Sequence, residues 1–303
     1  MAGGFGATAA VGKILDFDHK TLIAAFGTTY AQTCGSMQAH EEGTMLLAMQ
    51  IGFNARNAVH ACELAARNLI APVEVLEGRF GYYRLFEGSS DLAPVLSQLS
   101  KTRRISELVQ KPFPTGRATH GAIEAIARQR DLHGIAPEMI ERLVVRITPV
   151  AFTLVGRPLK SDMPQNYARL CLVYCAARAL TGGTVSVDDF TPAALKDRDL
   201  LRLAERVEIV TLDTSELSAF GPTQVEIHLK DGRVFRDTVD VALGHPSNAL
   251  SEERHIEKFR ANCKAGFSAL EPGAVEGLID IIADLEALPD MHGLMDLAAA
   301  PGM

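Results

Sequence analysis

One long segment, residues 43–69, has apolar residues at helical spacing and almost no charge in its first half. No side chain between Glu42 and Arg56 is charged at neutral pH. The apolar residues of this half are Met45, Leu46, Leu47, Met49 and Ile51. A helix that is apolar on most of its faces is generally buried. The segment therefore predicts a buried helix, and it requires a fold with a substantial helical part.

Composition places the chain among ordinary globular proteins and excludes several classes of partner. Its 303 residues, 47% apolar and 22% charged, allow one large domain or two smaller ones. A net charge of -7 argues against binding to nucleic acid. No apolar run approaches the roughly 20 residues of a membrane span, and the N-terminus lacks the basic start of a secretory signal. We therefore expect a cytoplasmic protein that binds neither nucleic acid nor membrane.

The five cysteines agree with this compartment. An odd count of scattered cysteines predicts reduced thiols. Cys171 and Cys175 lie four residues apart on one face of a predicted helix, so a zinc pair is one interpretation and packing in the core is the other. No second Cys or His pair stands nearby at ligand spacing, which favours core packing, and we predict no metal site. The five are Cys34, Cys62, Cys171, Cys175 and Cys263.

Three blocks of different pattern follow one another along the chain. Residues 1–110 are rich in Ala, Leu, Met and Gly at helical spacing, and residues 245–303 return to helical patterns. Residues 111–244 mix helical and strand patterns. This order predicts a mostly α protein, in which an all-helical domain formed by the first and last blocks carries an inserted α+β domain.

Helices are predicted in the first block at residues 24–39, 44–68 and 91–108. In the second block, we expect Thr119 to cap a helix that continues to Arg130. A helix over 166–180 should end at the glycine pair 182–183, and a hairpin should turn at residues 230–232. The predicted strands are IERLVVRITP, VEIVTLD and the two arms of TQVEIHLKDGRVFRDTV.

The pattern offers five candidate functional residues, and each has a structural alternative. His120 follows a proline-bounded turn, and it is either a catalytic histidine or simply a residue at the N-terminus of a helix. Tyr174 lies on an apolar helix face, and it is either a proton donor or a part of the core. Lys111 and Arg117 flank the turn between blocks as a possible carboxylate-binding pair, and Arg157 follows a strand. For all three cations the alternative is a solvated charge.

Common catalytic signatures are missing from the sequence. GGFGATAAVGK lacks the GK[ST] ending and the preceding strand of a phosphate loop, so it is better interpreted as the start of a helix. GxSxG and HExxH are absent. The charged segment SEERHIEKFRANC has the spacing of a solvated helix face.

Several segments together resemble the MmgE/PrpD family, which includes 2-methylcitrate dehydratase, cis-aconitate decarboxylase and iminodisuccinate epimerase. They occur in the family's order and cover nearly the whole chain. The resemblance implies a helical domain that carries an α+β lid domain, a homodimer, and no metal or organic cofactor. The segments are FGATAAVGKILDFD, EGTMLLAMQIGFNAR, VEVLEGRFGYYRLF, KPFPTGRATHGAIEA, VGRP, ARLCLVYCAARALTGGTVSVDDF and GHPSNALSEERHIEKF.

The sequence departs from the family's pattern in two respects. Family members are longer at the N-terminus, where they carry an acidic and histidine-containing active-site segment. The helix at 43–69 carries a lysine and then a histidine in the family, whereas this chain has Leu47 and Gln50 at those positions. By resemblance, Lys111, His120 and Tyr174 are the retained catalytic candidates. Arg117, Arg157, Gln50 and Leu47 remain as candidates for substrate binding.

The resemblance leaves two functions open. The first is a lyase or isomerase that acts on a small polycarboxylate or related acid by cofactor-free proton transfer, with a rebuilt active site or with a second chain that supplies the missing N-terminal half. The second is a catalytically inactive family member that serves as a binding or scaffolding subunit. A reduced helical domain should also expose apolar surface, so we expect a homo-oligomer, most simply a dimer.

Overall fold

The computed structural model describes residues 2–88, 93–99, 101, 103–266 and 270–299. The chain divides into two compact units, Met1–Arg104 and Ile105–Met303. The protein is mostly helical, as predicted, with one small sheet. None of the helices in the described ranges is long and apolar enough to span a membrane.

Small side chains pack the N-terminal unit together. Helix α1 contacts α2 and α4, and the buried residues of these three helices are Gly, Ala, Thr and Cys. Such small side chains allow close approach of the backbones. The buried hydroxyls of Thr8 and Thr29 hydrogen-bond across this contact at 2.6 Å. The helices are α1 (Ala2–Ile14), α2 (His19–Gln32), α3 (Gln38–Glu42), α4 (Leu46–Ala66) and α5 (Ala93–Leu96), with a π-helical turn at Tyr83–Glu87.

Two predicted helices of this unit differ from the structure. The first begins earlier than residue 24, because Asp18 caps α2 by accepting a hydrogen bond from the Thr21 amide at 2.7 Å, and α2 ends at Gln32. The helix predicted over 91–108 is not continuous: α5 covers four residues and a 3-10 turn covers Arg104–Glu107. Residues 91, 92, 100 and 102 of that segment lie outside the described residues.

The long helix at 43–69 forms as α4, but the expected burial of its first half is wrong. The fully buried residues of α4 lie in its second half, and α4 packs against α1 and α2. In the first half, Met45 and Met49 are exposed and Ile51 is 73% exposed. The N-terminal turns, which carry no charge, are half-buried or exposed in this unit. The buried residues are Ala58, Ala61, Cys62 and Ala65.

A four-stranded sheet with the order β2-β1-β3-β4 organises the C-terminal unit. Strand β1 pairs in parallel with β2 and antiparallel with β3, and β3 pairs antiparallel with β4. The hairpin prediction is confirmed, since Gly232 has a φ of +90° in the β3–β4 turn. The strands are β1 (Ile140–Ile147), β2 (Val207–Thr211), β3 (Thr223–Leu229) and β4 (Val234–Val239).

Helices α6 and α9 contribute much of the core of this unit, and α6 contacts β3, β4 and α9. The predicted helix over 166–180 is split, because Cys171 is extended and forms an isolated bridge with Gly156. The helices are α6 (His120–His133), α7 (Pro149–Val155), α8 (Gln165–Ala168), α9 (Leu172–Gly182), α10 (Arg198–Ala204), α11 (Glu252–Ala265), α12 (Pro272–Ala283) and α13 (His292–Ala298).

Candidate functional site

The segment between Gln110 and His120 is held by backbone contacts at both ends. The Gln110 amide donates to the Gly244 carbonyl at 2.9 Å, and the Gly116 amide donates to the Arg169 carbonyl at 2.9 Å. Gly244 has a φ of +92°, and a Cβ atom there would overlap the Gln110 carbonyl oxygen, so this position requires glycine. The segment is therefore fixed on the surface of the C-terminal unit before α6 begins.

Thr119 does not cap α6 as the sequence predicted. It has a helical backbone conformation, and its side chain accepts no hydrogen bond from the first turn. Its hydroxyl instead donates to the Gly116 carbonyl at 2.9 Å and lies 2.8 Å from the hydroxyl of Thr115. A 3-10 turn at Arg117–Thr119 leads directly into α6, and the Arg117 carbonyl accepts a hydrogen bond from the His120 amide in place of a side-chain cap.

A cavity of about 710 Å³ lies between this segment, residues 184–188 after α9, and helix α11. Phe113 and Leu250 contribute apolar surface to its wall. Four cations and two carboxylates line it, so the local charge is positive although the whole chain is acidic. The charged residues are Lys111, Arg254, Lys258, Lys264, Asp188 and Glu257.

Lys111 is one of the residues that line this cavity. The side chain is largely exposed, but its Nζ atom donates to the Thr115 carbonyl at 3.2 Å and lies close to the protein surface. Partial loss of hydration lowers the pKa of Lys111, and the positive charges of Lys258 and Arg117 lower it further. A lysine of lowered pKa is a better proton donor than a free lysine.

His120 lies behind the cavity wall rather than in it. The residue is 0% exposed, and its ring meets Phe113 edge-on with 5.4 Å between the ring centroids. Burial lowers the pKa of His120 to about 3, and the charge of Lys111 adds to this effect. The nearby Thr115 backbone opposes the shift only weakly, because neither ring nitrogen makes a hydrogen bond of acceptable geometry to any described residue. The imidazole is therefore neutral at physiological pH.

Arg117 faces a different cavity from Lys111. Its guanidinium lies 4.0 Å from the centroid of the Phe220 ring, and burial lowers its pKa. Together with Thr223 and His245 it lines a cavity of about 250 Å³. The predicted pair is therefore separated, although both cations act electrostatically on His120.

Tyr174 lies in the core of the C-terminal unit. It is 0% exposed and packs near Phe190, with 5.8 Å between the ring centroids. Its hydroxyl donates to the Asp189 carbonyl at 2.5 Å, and Arg178 Nε donates to the hydroxyl oxygen at 3.4 Å. Burial raises the pKa of the phenol. The burial of Tyr174 agrees with the core interpretation of the sequence, and in this arrangement its hydroxyl proton is already engaged.

The other predicted site residues occupy separate places. The Arg157 guanidinium lies 4.9 Å from the Tyr167 ring centroid, and the Arg157 carbonyl accepts a hydrogen bond from the Cys171 thiol at 3.5 Å. Leu47 and Gln50 belong to α4 of the N-terminal unit, where both are half-buried and the Gln50 carbonyl accepts a hydrogen bond from the Asn54 side chain at 2.8 Å.

The cysteine pair at 171 and 175 is buried in the core of the C-terminal unit. The Cys171 thiol donates to the Arg157 carbonyl, and the Cys175 thiol donates to the Ala168 carbonyl at 3.6 Å. Burial raises the pKa of both thiols, which disfavours the thiolate form that binds metals. Within the described ranges, no cluster of three or more His, Cys, Asp or Glu residues could hold a metal ion.

Sequence reasoning missed the contribution of α11 to the cavity. Its charges have the spacing of a solvated face, and that interpretation gave no reason to single out Arg254 or Lys258. One signal was available in the sequence: no acidic residue lies three or four positions from Lys258 on either side. A helix cation without such a partner is less typical of a solvated, ion-paired face.

Comparison with known proteins gives matches over most of the chain. Sequence models of the MmgE/PrpD N-terminal and C-terminal domains match residues 1–94 and 113–279. Cis-aconitate decarboxylase of Homo sapiens is 28% identical over 310 aligned residues, which cover 99% of this chain and 62% of that protein. Cis-aconitate decarboxylase of Mus musculus is 29% identical over 266 aligned residues, covering 84% of this chain and 52% of that protein. The chain thus spans less than two thirds of the length of both relatives.

Proposed function

Because this chain belongs to the MmgE/PrpD family, we propose that it is a lyase that acts on a small di- or tricarboxylic acid by cofactor-free proton transfer. The similarity to two cis-aconitate decarboxylases supports decarboxylation as the reaction class. The single observation that carries the proposal is the position of Lys111, whose ammonium group of lowered pKa lines the positively charged cavity of the C-terminal unit.

The chemistry of such a reaction explains what Lys111 would contribute. Loss of CO2, or of a proton beside a carboxylate, leaves an electron pair on carbon that a neighbouring carboxylate takes up as an enolate-like anion. An ammonium group near that carboxylate stabilises the charge as it develops. In a decarboxylation, a proton must then be returned to carbon, and a lysine of lowered pKa is suited to give it. The neutral His120 supports the wall behind this group through Phe113.

Proton NMR of a panel of unsaturated and hydroxylated di- and tricarboxylates tests the function. In D2O we expect the wild type to convert at least one acid, with solvent deuterium incorporated at carbon if it is decarboxylated. Lys111→Met should lower turnover at least a hundredfold, whereas Lys230→Met, which removes the same charge from the exposed β3–β4 turn, should change it less than twofold. An unchanged panel, or equal activity of Lys111→Met and wild type, would contradict the proposal.

A second candidate, a family member without catalysis that binds an acid or a partner protein, is favoured by Tyr174. Its hydroxyl is committed to the Asp189 carbonyl inside the core, where it cannot reach the cavity without rearrangement. Leu47 and Gln50 on α4 also supply no base. Natural turnover that disappears in Tyr174→Phe, while the protein remains folded by circular dichroism, would reject the non-catalytic alternative.

A further inference from the structure

Helix α11 directs two cations toward the large cavity. Arg254 and Lys258 are four residues apart, so they share one face of the helix, and both line the cavity. Like charges at this spacing destabilise a helix. No acidic residue at three or four positions from Lys258 offsets its charge. Glu257 stands three positions from Arg254, so α11 offers a partner at this spacing to Arg254 but none to Lys258.

Lys111 brings a further cation to the same space from a separate part of the chain. The charge of Lys258 lowers the pKa of both Lys111 and His120, so the two ammonium groups are close enough to repel each other. In the part of the chain that the structure describes, neither lysine forms an ion pair with a carboxylate. Two unneutralised ammonium groups facing one cavity are stabilised when an anion binds between them.

We propose that Lys258 and Lys111 together bind the carboxylates of a di- or tricarboxylic acid, and that Lys258 sets the preference for such acids over monocarboxylic acids. This inference rests on the proposed function of the cavity and extends it to a residue of α11. Each ammonium group offers three donors, and hydrogen bonds between charged groups are the stronger ones. Because the two lysines carry two positive charges, a ligand with at least two carboxylates is needed to neutralise both, and a monocarboxylate leaves one charge uncompensated.

The remaining charges of the cavity are compatible with this assignment. Asp188 and Glu257 oppose an anion, but Arg254 and Lys264 add two cations, so the lining keeps an excess of positive charge. The volume of about 710 Å³ accommodates a six-carbon acid together with water. Discrimination then follows from the number of carboxylates that the ligand brings, rather than from a tight fit to its carbon skeleton.

Isothermal titration calorimetry with tricarballylate and butyrate tests the assignment directly. Tricarballylate is a saturated tricarboxylate without a hydroxyl group, so it reports binding rather than dehydration. Lys258→Met should weaken tricarballylate binding at least tenfold and butyrate binding less than threefold. Lys258→Arg, which retains the charge, should stay within threefold of the wild type. The matched control is Lys230→Met, which removes the same charge from the exposed β3–β4 turn outside the cavity and should change tricarballylate affinity less than threefold.

The outcomes separate this inference from the proposed function. Undetectable binding of tricarballylate to the wild type, unchanged affinity in a folded Lys258→Met, or an equal loss in Lys230→Met would each overturn the role of Lys258. Binding that depends on Lys258, without turnover of any acid in the NMR panel, would refute the lyase and support this assignment. Turnover of an acid, together with unchanged tricarballylate affinity in Lys258→Met, would support the lyase and overturn the role of Lys258.

Discussion

Replacing His120 by leucine should remove a large part of the acid sensitivity of the C-terminal unit. The histidine is 0% exposed, and its pKa falls from 6.5 to about 3 because burial disfavours the charged form. Between these values the unfolded chain binds a proton that the folded chain does not. The free energy of unfolding therefore rises with pH across this window and falls as pH drops below about 6.5.

The magnitude follows from the two pKa values. At pH 4.5 the unfolded histidine is almost fully protonated and the folded one almost fully neutral, so the slope is about 1.4 kcal/mol per pH unit. Integrated from pH 7.5 to pH 4.5, the contribution of His120 is a loss of about 2.7 kcal/mol. Leucine cannot titrate, and it leaves no buried nitrogen without a partner. We therefore expect the variant to unfold with a free energy within about 1 kcal/mol of the wild type at pH 7.5 and to exceed it by about 2 to 3 kcal/mol at pH 4.5.

Hydrogen exchange of β1 amides, followed by mass spectrometry at both pH values, measures the opening free energy of this unit separately from the N-terminal one. Protonation of carboxylates whose pKa is lowered by ion pairs, such as Asp237 beside Arg128, also reduces the free energy of unfolding in acid. This reduction is the same in the wild type and in His120→Leu. Ile123→Leu, a buried substitution on the same helix, controls for disturbed packing and should have the same effect at both pH values. The reasoning fails if wild type and His120→Leu lose the same free energy between pH 7.5 and pH 4.5.

Two further predictions concern the frame of the cavity and the surface of the N-terminal unit. Gly244→Ala should lower the free energy of unfolding by about 2 kcal/mol or more, because the φ of +92° disfavours any side chain and the new Cβ meets the Gln110 carbonyl. Urea unfolding measures this loss, and a value below about 0.5 kcal/mol would contradict the close approach. We propose that the exposed first half of α4 mediates self-association, so sedimentation velocity should show wild-type oligomers that Ile51→Glu weakens at least tenfold. Leu132→Glu, which places the same charge at an exposed leucine of the other unit, should leave them unchanged, and a wild-type monomer at micromolar concentration would exclude this surface as an interface.

Local sequence patterns predicted several strands and turns, because the residues that determine these elements lie within a few positions of one another. Alternating β-branched residues identified β1, and Gly232 identified the hairpin turn, since both depend on the chain's own period and backbone freedom. Ser251 begins α11 by accepting a hydrogen bond from the Arg254 amide, a cap of the kind that sequence reveals. The family was likewise accessible, because segments in a fixed order carry more information than any one of them.

Other features depended on contacts between distant residues. The break at Cys171 follows from a bridge to Gly156, and Tyr174 is held by the carbonyl of Asp189, a residue beyond the end of its own helix. No helical or strand period records either contact. Similarly, the separation of Lys111 and Arg117 into two cavities follows from the course of the 3-10 turn between Lys111 and α6.

The sequence by itself determined the family, the mostly helical class, the strands and the positions of the titratable groups. It did so because periodicity, turn chemistry and residue order are local properties of the chain. Only the tertiary structure decided which of these groups meet: that the uncharged half of α4 stays exposed, that His120 is buried and neutral, and that Lys258 faces the same cavity as Lys111. Burial and electrostatic coupling arise from what packs against a residue, and a pattern along the chain shows which face is apolar or charged without showing what covers it.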